Sequence, residues 1–166
     1  INIPAFQTHF PDSKILYMVR DPLNVLPSGL SLVTGVLDKR FGFWSLDENI
    51  RERFIKRLYN AFVELLKRFH EDWTNGSIDK TKVFIVKYDR IMTDFDELMN
   101  EILTFTGITP TDEMMIEIKN TADRQRQYTS AHKYNLEKFG LNEDQIRSDC
   151  SFIYDTFLNS VNNKVD

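Results

Sequence analysis

Five apolar residues in succession, Ile15 to Val19, stop without transition at Arg20, Asp21 and Pro22. A run this short, with no polar alternation, has the pattern of a strand covered on both faces, as strands are in parallel sheets flanked by helices. The stretch "KVFIVKY", Lys82 to Tyr88, repeats it. Between the two runs, Ile50, Phe54, Leu58, Phe62, Leu65, Phe69 and Trp73 recur at steps of three and four. That periodicity predicts one long amphipathic helix, opened by Asp47 or Ser45 and closed near Asn75 and Gly76. Strand, long helix, strand is the order of a right-handed parallel βαβ unit.

Three more helices are expected downstream. Asp94 stands as an N-cap with Glu97 three residues on, ahead of Leu98, Ile102 and Leu103 and a stop at Gly107. Thr111 opens the second. Asn142 with Gln145 opens the third, which carries Ile146, Cys150, Ile153, Phe157 and Val161 along one face. The expected fold is α/β, a parallel sheet flanked by helices. At 166 residues and 42% hydrophobic content the chain suits a single domain over residues 1–166. Sheets of this kind usually have four or more strands. Either short strands escape the pattern or the rest of the sheet belongs to sequence absent here. The opening "INIPAFQTHFPDSK" has no initiator Met and leads almost at once into a central-looking strand, so a missing N-terminal portion is expected.

The net charge of −4 supplies no overall basic field for a nucleic-acid backbone, so nucleic acid is not an expected partner and any anionic ligand must be caught locally. The lone Cys150 excludes a disulfide framework and a Cys-based zinc site, and it suits a small buried hydrophobe. His9, His70 and His132 have no cysteine partner and no i, i+4 arrangement, so no metal site is expected. No apolar run reaches the roughly 18 to 20 residues that span a bilayer, and no signal peptide opens the chain; the sequence reads as soluble, with a cytoplasmic location favoured.

Ligands of open parallel sheets bind beyond the carboxyl ends of the strands, and Arg20 sits at such an end. Pro22 suits the first turn of a helix, so the guanidinium stands beside free backbone N–H groups that also attract an anion. Ser28, about two turns on, brings a hydroxyl toward the same oxygens, while Pro27 should bend or interrupt the helix just before it. The alternative is that Arg20 pairs with Asp21 or another carboxylate and Ser28 merely ends a broken helix. Spacing alone leaves both open.

"FPDSKILYMVRDPLNVLPSG" resembles the 3′-phosphate-binding segment of sulfotransferases that use 3′-phosphoadenosine 5′-phosphosulfate (PAPS), in which a strand ends in Arg and a Ser follows eight residues later. "VFIVKYDRIMTDFDELMNEILTFTGI" resembles the family's next block, and "YTSAHKYNLEKFGLNEDQI" the C-terminal segment of some members. The blocks occur in family order. The resemblance implies a fold related to P-loop nucleotide kinases, apparently partial here, and sulfuryl transfer from PAPS to a hydroxyl or amine of an unidentified small molecule or glycan. It assigns Arg20 and Ser28 to the 3′-phosphate and Tyr88 to the neighbourhood of the adenine. It makes Ser130, His132, Lys133 and Tyr134 candidates for a loop over the nucleotide. The Arg-Lys-Gly run of cytosolic members is not in that loop, and the nearest basic cluster is Arg124 to Arg126.

Members also carry a phosphosulfate-binding loop near the N-terminus. No Gly-rich loop opening a helix is present here, so half of the donor site is absent and no catalytic base is assigned. Two rival readings stay open: a non-catalytic nucleotide- or anion-binding module of the same fold, and a P-loop kinase-like subdomain. Other features read as structural. His9 suits a surface or capping role, His70 a solvated helix face, and Glu48 and Glu52 ion pairs with Arg51, Arg53, Lys56 and Arg57. Phe41, Phe43 and Trp44 form either a core lid or the wall of an acceptor pocket.

Overall fold

The computed structural model describes residues 2–127 and 135–159. In chain order the elements are α1 (Ile3–His9), β1 (Ile15–Val19), α2 (Pro22–Phe41), α3 (Glu48–Thr74), β2 (Val83–Lys87), α4 (Tyr88–Thr93), α5 (Phe95–Thr106), α6 (Asp112–Gln127), α7 (Glu143–Asp149) and α8 (Ser151–Ile153). They gather into two compact units, one from residues 2–20 and 75–127, the other from residues 21–74 and 135–159. No described helix is long and apolar enough to cross a membrane.

The first unit holds the sheet. β1 and β2 pair in parallel from Ile15 opposite Val83 to Val19 opposite Lys87, and they are the two strands of the sheet among the described residues. β2 meets the expectation of cover on both faces, with Val83, Ile85 and Val86 buried. β1 does not. Its period of two puts Ile15, Tyr17 and Val19 on a covered face, while Leu16 and Met18 are 47% and 55% exposed on the other. An apolar run marks a strand that tolerates cover, and whether cover exists depends on what packs there. Helices α4, α5 and α6 pack on one another, and α5 packs on β2, around Leu98, Leu103, Ile118 and Ala122. α1 is tied in by a two-way amide clasp, Gln7 Nε2 donating to the Asp79 carbonyl and Asp79 N–H to Gln7 Oε1, each at 3.0 Å.

Two arginines brace these helices. Arg90 donates bidentately to Glu101 at 2.7 and 2.8 Å and to Asp94 at 2.8 Å. Asp94 does occupy the N-cap position of α5, yet its carboxylate turns to Arg90 and Thr93 and makes no cap bond. Arg126 spans α6 to α5 by a 2.8 Å bond to Asp96, and Arg124 pairs with Glu117. The Arg124 to Arg126 cluster is thus held by carboxylates of its own unit.

The second unit packs α2, α3, α7 and α8 around Leu26, Leu30, Ile55, Tyr59, Val63, Ile146 and Cys150. α2 runs unbroken through Pro27, contrary to the expected interruption: Pro27 forfeits one backbone bond in a helix of 20 residues, and its ring is buried. Gly29 explains itself by close packing, because a Cβ there would lie 2.8 Å from Phe62 Cε2. Gly42, at φ +66°, ends the helix in the left-handed region.

The expected helix from Asn142 breaks at Cys150, whose φ is −116°, and continues as α8 and a π-turn over Tyr154–Leu158. The predicted apolar face survives the break: Ile146, Cys150, Ile153 and Phe157 are all buried, and burial pushes the Cys150 thiol up to about 11. Val161 lies outside the described residues. His70 is half-buried rather than solvated. Its Nε2 lies 3.0 Å from Thr156 Oγ1, beside the Phe152 ring. His9 is exposed, with Nδ1 at 2.9 Å from the Ala5 carbonyl of its own helix. The expected ion pairs of Glu48 and Glu52 with Arg51, Arg53, Lys56 and Arg57 do not form among the described residues, because exposed pairs gain little against side-chain entropy.

Candidate functional site

The register of the sheet decides what stands at its carboxyl end. Val19 faces Lys87, so the next residues along the two parallel strands are Arg20 and Tyr88. Their side chains meet: the Arg20 guanidinium carbon lies 4.2 Å from the centroid of the Tyr88 ring. This is cation–π contact distance, an attraction of about 0.5 to 2 kcal/mol. Sequence reasoning selected both residues, and the structure brings them together in the first unit.

Arg20 makes no ion pair and no hydrogen bond among the described residues. The alternative of an Arg20–Asp21 pair therefore fails, because the Asp21 carboxylate is engaged elsewhere. Within the second unit it accepts from the Leu23 N–H at 2.8 Å, capping α2, and from the Tyr154 hydroxyl at 2.6 Å. Burial and that bond push the Tyr154 phenol well above its ordinary range. Sequence reasoning weighed Asp21 only as a partner for Arg20 and missed the cap, although an acidic residue before Pro22 is a helix-start signal. Tyr154 was not legible, since 133 residues separate it from its partner.

The contrast with Arg90 is chemical. The Tyr88 ring attracts the Arg20 guanidinium through its π face, and no described residue takes up the N–H donors with which a guanidinium grips phosphate oxygens in pairs. Arg90 has those donors filled by Glu101 and Asp94, and its pKa is raised by them accordingly. Arg20 has no such partner among the described residues.

Ser28 lies half-buried in the second turn of α2, two residues beyond Leu26, and its hydroxyl is engaged by no other described residue. Ser130, His132, Lys133 and Tyr134 lie outside the described residues. Of the aromatic trio, Phe43 is buried in the core, as a lid would be, Phe41 is 72% exposed, and Trp44 is half-buried at the edge of a cavity in the second unit.

The Sulfotransferase family model matches residues 2–113. No curated protein and no solved structure matches the chain. The family match spans most of the 166 residues and takes in both strands, the Arg20 and Tyr88 pair at their ends and the α2 segment with Ser28. On that match, the chain belongs to the sulfotransferase family.

Proposed function

We propose that this chain binds PAPS and serves transfer of its sulfuryl group to a hydroxyl or amine of an acceptor. In this reading Arg20 holds the 3′-phosphate, Ser28 adds a hydroxyl to the same group, and Tyr88 lies near the adenine. The observation that carries it is the Arg20 side chain, held over the Tyr88 ring with no carboxylate partner among the described residues.

In the reaction the acceptor oxygen or nitrogen attacks sulfur in line with the sulfur–oxygen bond to the 5′-phosphate. That bond breaks, its electron pair leaves with 3′-phosphoadenosine 5′-phosphate (PAP), and the acceptor gives up its proton. The 3′-phosphate keeps its charge throughout, so Arg20 contributes equally to the ground and transition states. Its loss raises KM for PAPS far more than it lowers kcat.

Calorimetric titration with PAP, 5′-AMP and ATP tests the reading without knowledge of the acceptor. PAP should bind at least about tenfold more tightly than either. Equal affinities would refute the assignment of the strand-end arginine to a 3′-phosphate.

A further inference from the structure

The second unit holds a cavity of about 470 Å³ between the first turns of α3 and the Glu137–Leu141 turn. That volume is within the range of small-molecule sites. Its floor is apolar and buried: Ile55, Phe139 and Leu141, beside the half-buried Trp44. The glutamates and lysines of its lining are exposed, so water screens them.

Arg51 differs from every other charged group in the cavity. It is half-buried, and its Nε is fully withdrawn from solvent with no hydrogen-bond partner among the described residues. The guanidinium is partly desolvated and forms no ion pair among the described residues, so an anion in the cavity gains more from it than from the exposed lysines. The neighbouring indole supplies no acceptor: Trp44 offers Arg51 only a ring, at 5.9 Å, and the Lys138 ammonium stands 4.2 Å from the same ring. Glu48 and Glu52, one turn away or adjacent on α3, leave the donor unpaired.

We infer that this cavity binds a small organic anion, with an apolar ring on Ile55, Phe139 and Leu141 and an oxyanion on the Arg51 guanidinium. The proposal stands apart from the PAPS reading, since every lining residue belongs to the second unit and none is assigned to the nucleotide. Ring and charge are both required. The buried floor offers nothing to a bare inorganic ion, and a neutral ring leaves the charge of Arg51 unanswered.

Benzoate, benzamide and inorganic sulfate separate these contributions, read by NMR of the indole N–H signals of Trp44 and Trp73. Benzoate should move the Trp44 signal saturably with a Kd on the order of 1 mM and leave that of Trp73 in place. Benzamide and sulfate should each bind at least about tenfold more weakly. Arg51→Met should weaken benzoate about tenfold and benzamide hardly at all. Gln145→Trp, at the exposed rim, should close the mouth and remove the benzoate response without touching the core. No saturable Trp44 shift up to about 20 mM benzoate would overturn the proposal, as would sulfate binding as tightly as benzoate or unchanged benzoate binding by a folded Arg51→Met protein.

Discussion

Arg20 and Arg90 stand at comparable places in the first unit, one just beyond β1 and the other in the first turns after β2, yet they are held in opposite ways. Arg90 is closed in by three charged hydrogen bonds to Glu101 and Asp94 and braces α4 to α5. Arg20 sits over the Tyr88 ring and has no hydrogen-bond partner among the described residues. An arginine with its fork filled is a strut. An arginine held by a ring is oriented and still able to donate to a phosphate, which is pre-organisation for a ligand.

Substitution should separate these roles. Arg20→Ala should weaken PAP by about 1.5 to 3 kcal/mol, the range for a hydrogen bond to a charged partner, and leave Tm within a degree or so. A large fall in Tm with unchanged PAP affinity would reverse the assignment. Arg90→Met should do the opposite: calorimetric melting should show a loss of about 1 to 2 kcal/mol, at the upper end for a partly exposed pair because the geometry is bidentate, with PAP affinity preserved. Tyr88→Ala should cost about 1 kcal/mol in PAP binding through loss of the stack, and Tyr88→Phe much less, since the ring face remains. An equal loss in both would move the role of Tyr88 from its ring to its hydroxyl.

The smallest effect concerns acid stability. The bond from Arg126 holds the Asp96 carboxyl below its ordinary 3.8. A carboxyl depressed in the folded state contributes stability above its unfolded pKa and loses it as pH falls through the folded one. The Tm difference between the parent and Arg126→Ala should therefore be present near about pH 6 and shrink below about pH 4. A difference that grew on acidification would contradict the sign.

What was legible in the sequence is what short-range chemistry dictates. The apolar run ahead of Arg20, the start of α2 at Pro22, the span of α3 and the stop at Gly107 depend on neighbours within a turn or two and appear where expected, but α3 buries Ile55, Tyr59, Val63 and Phe69, while Ile50 and Leu65 of the expected face are exposed. The departures are long-range or set by packing. The Arg90 to Glu101 clasp spans eleven residues, beyond helical pairing distance. The His70 contact with Thr156 crosses 86 residues, and the open face of β1 depends on what covers it. Arg20 was recognised by its place at a strand end. Its ring partner lies just beyond the other strand, at the start of α4, and became visible only through the parallel register that sets Val19 beside Lys87. Arg51 was read as one of a set of helix-surface charges, because no local pattern distinguishes a buried Nε from an exposed one.

The central claim is that Arg20 reads a 3′-phosphate, and the most direct measurement is a cycle of two proteins and two nucleotides: parent and Arg20→Ala, each titrated with PAP and with 5′-AMP. PAP should exceed 5′-AMP by at least about tenfold on the parent, and the two should converge to within about twofold on the variant. If the preference for PAP survives intact without the guanidinium, the 3′-phosphate is held elsewhere and the account of the strand-end site is wrong.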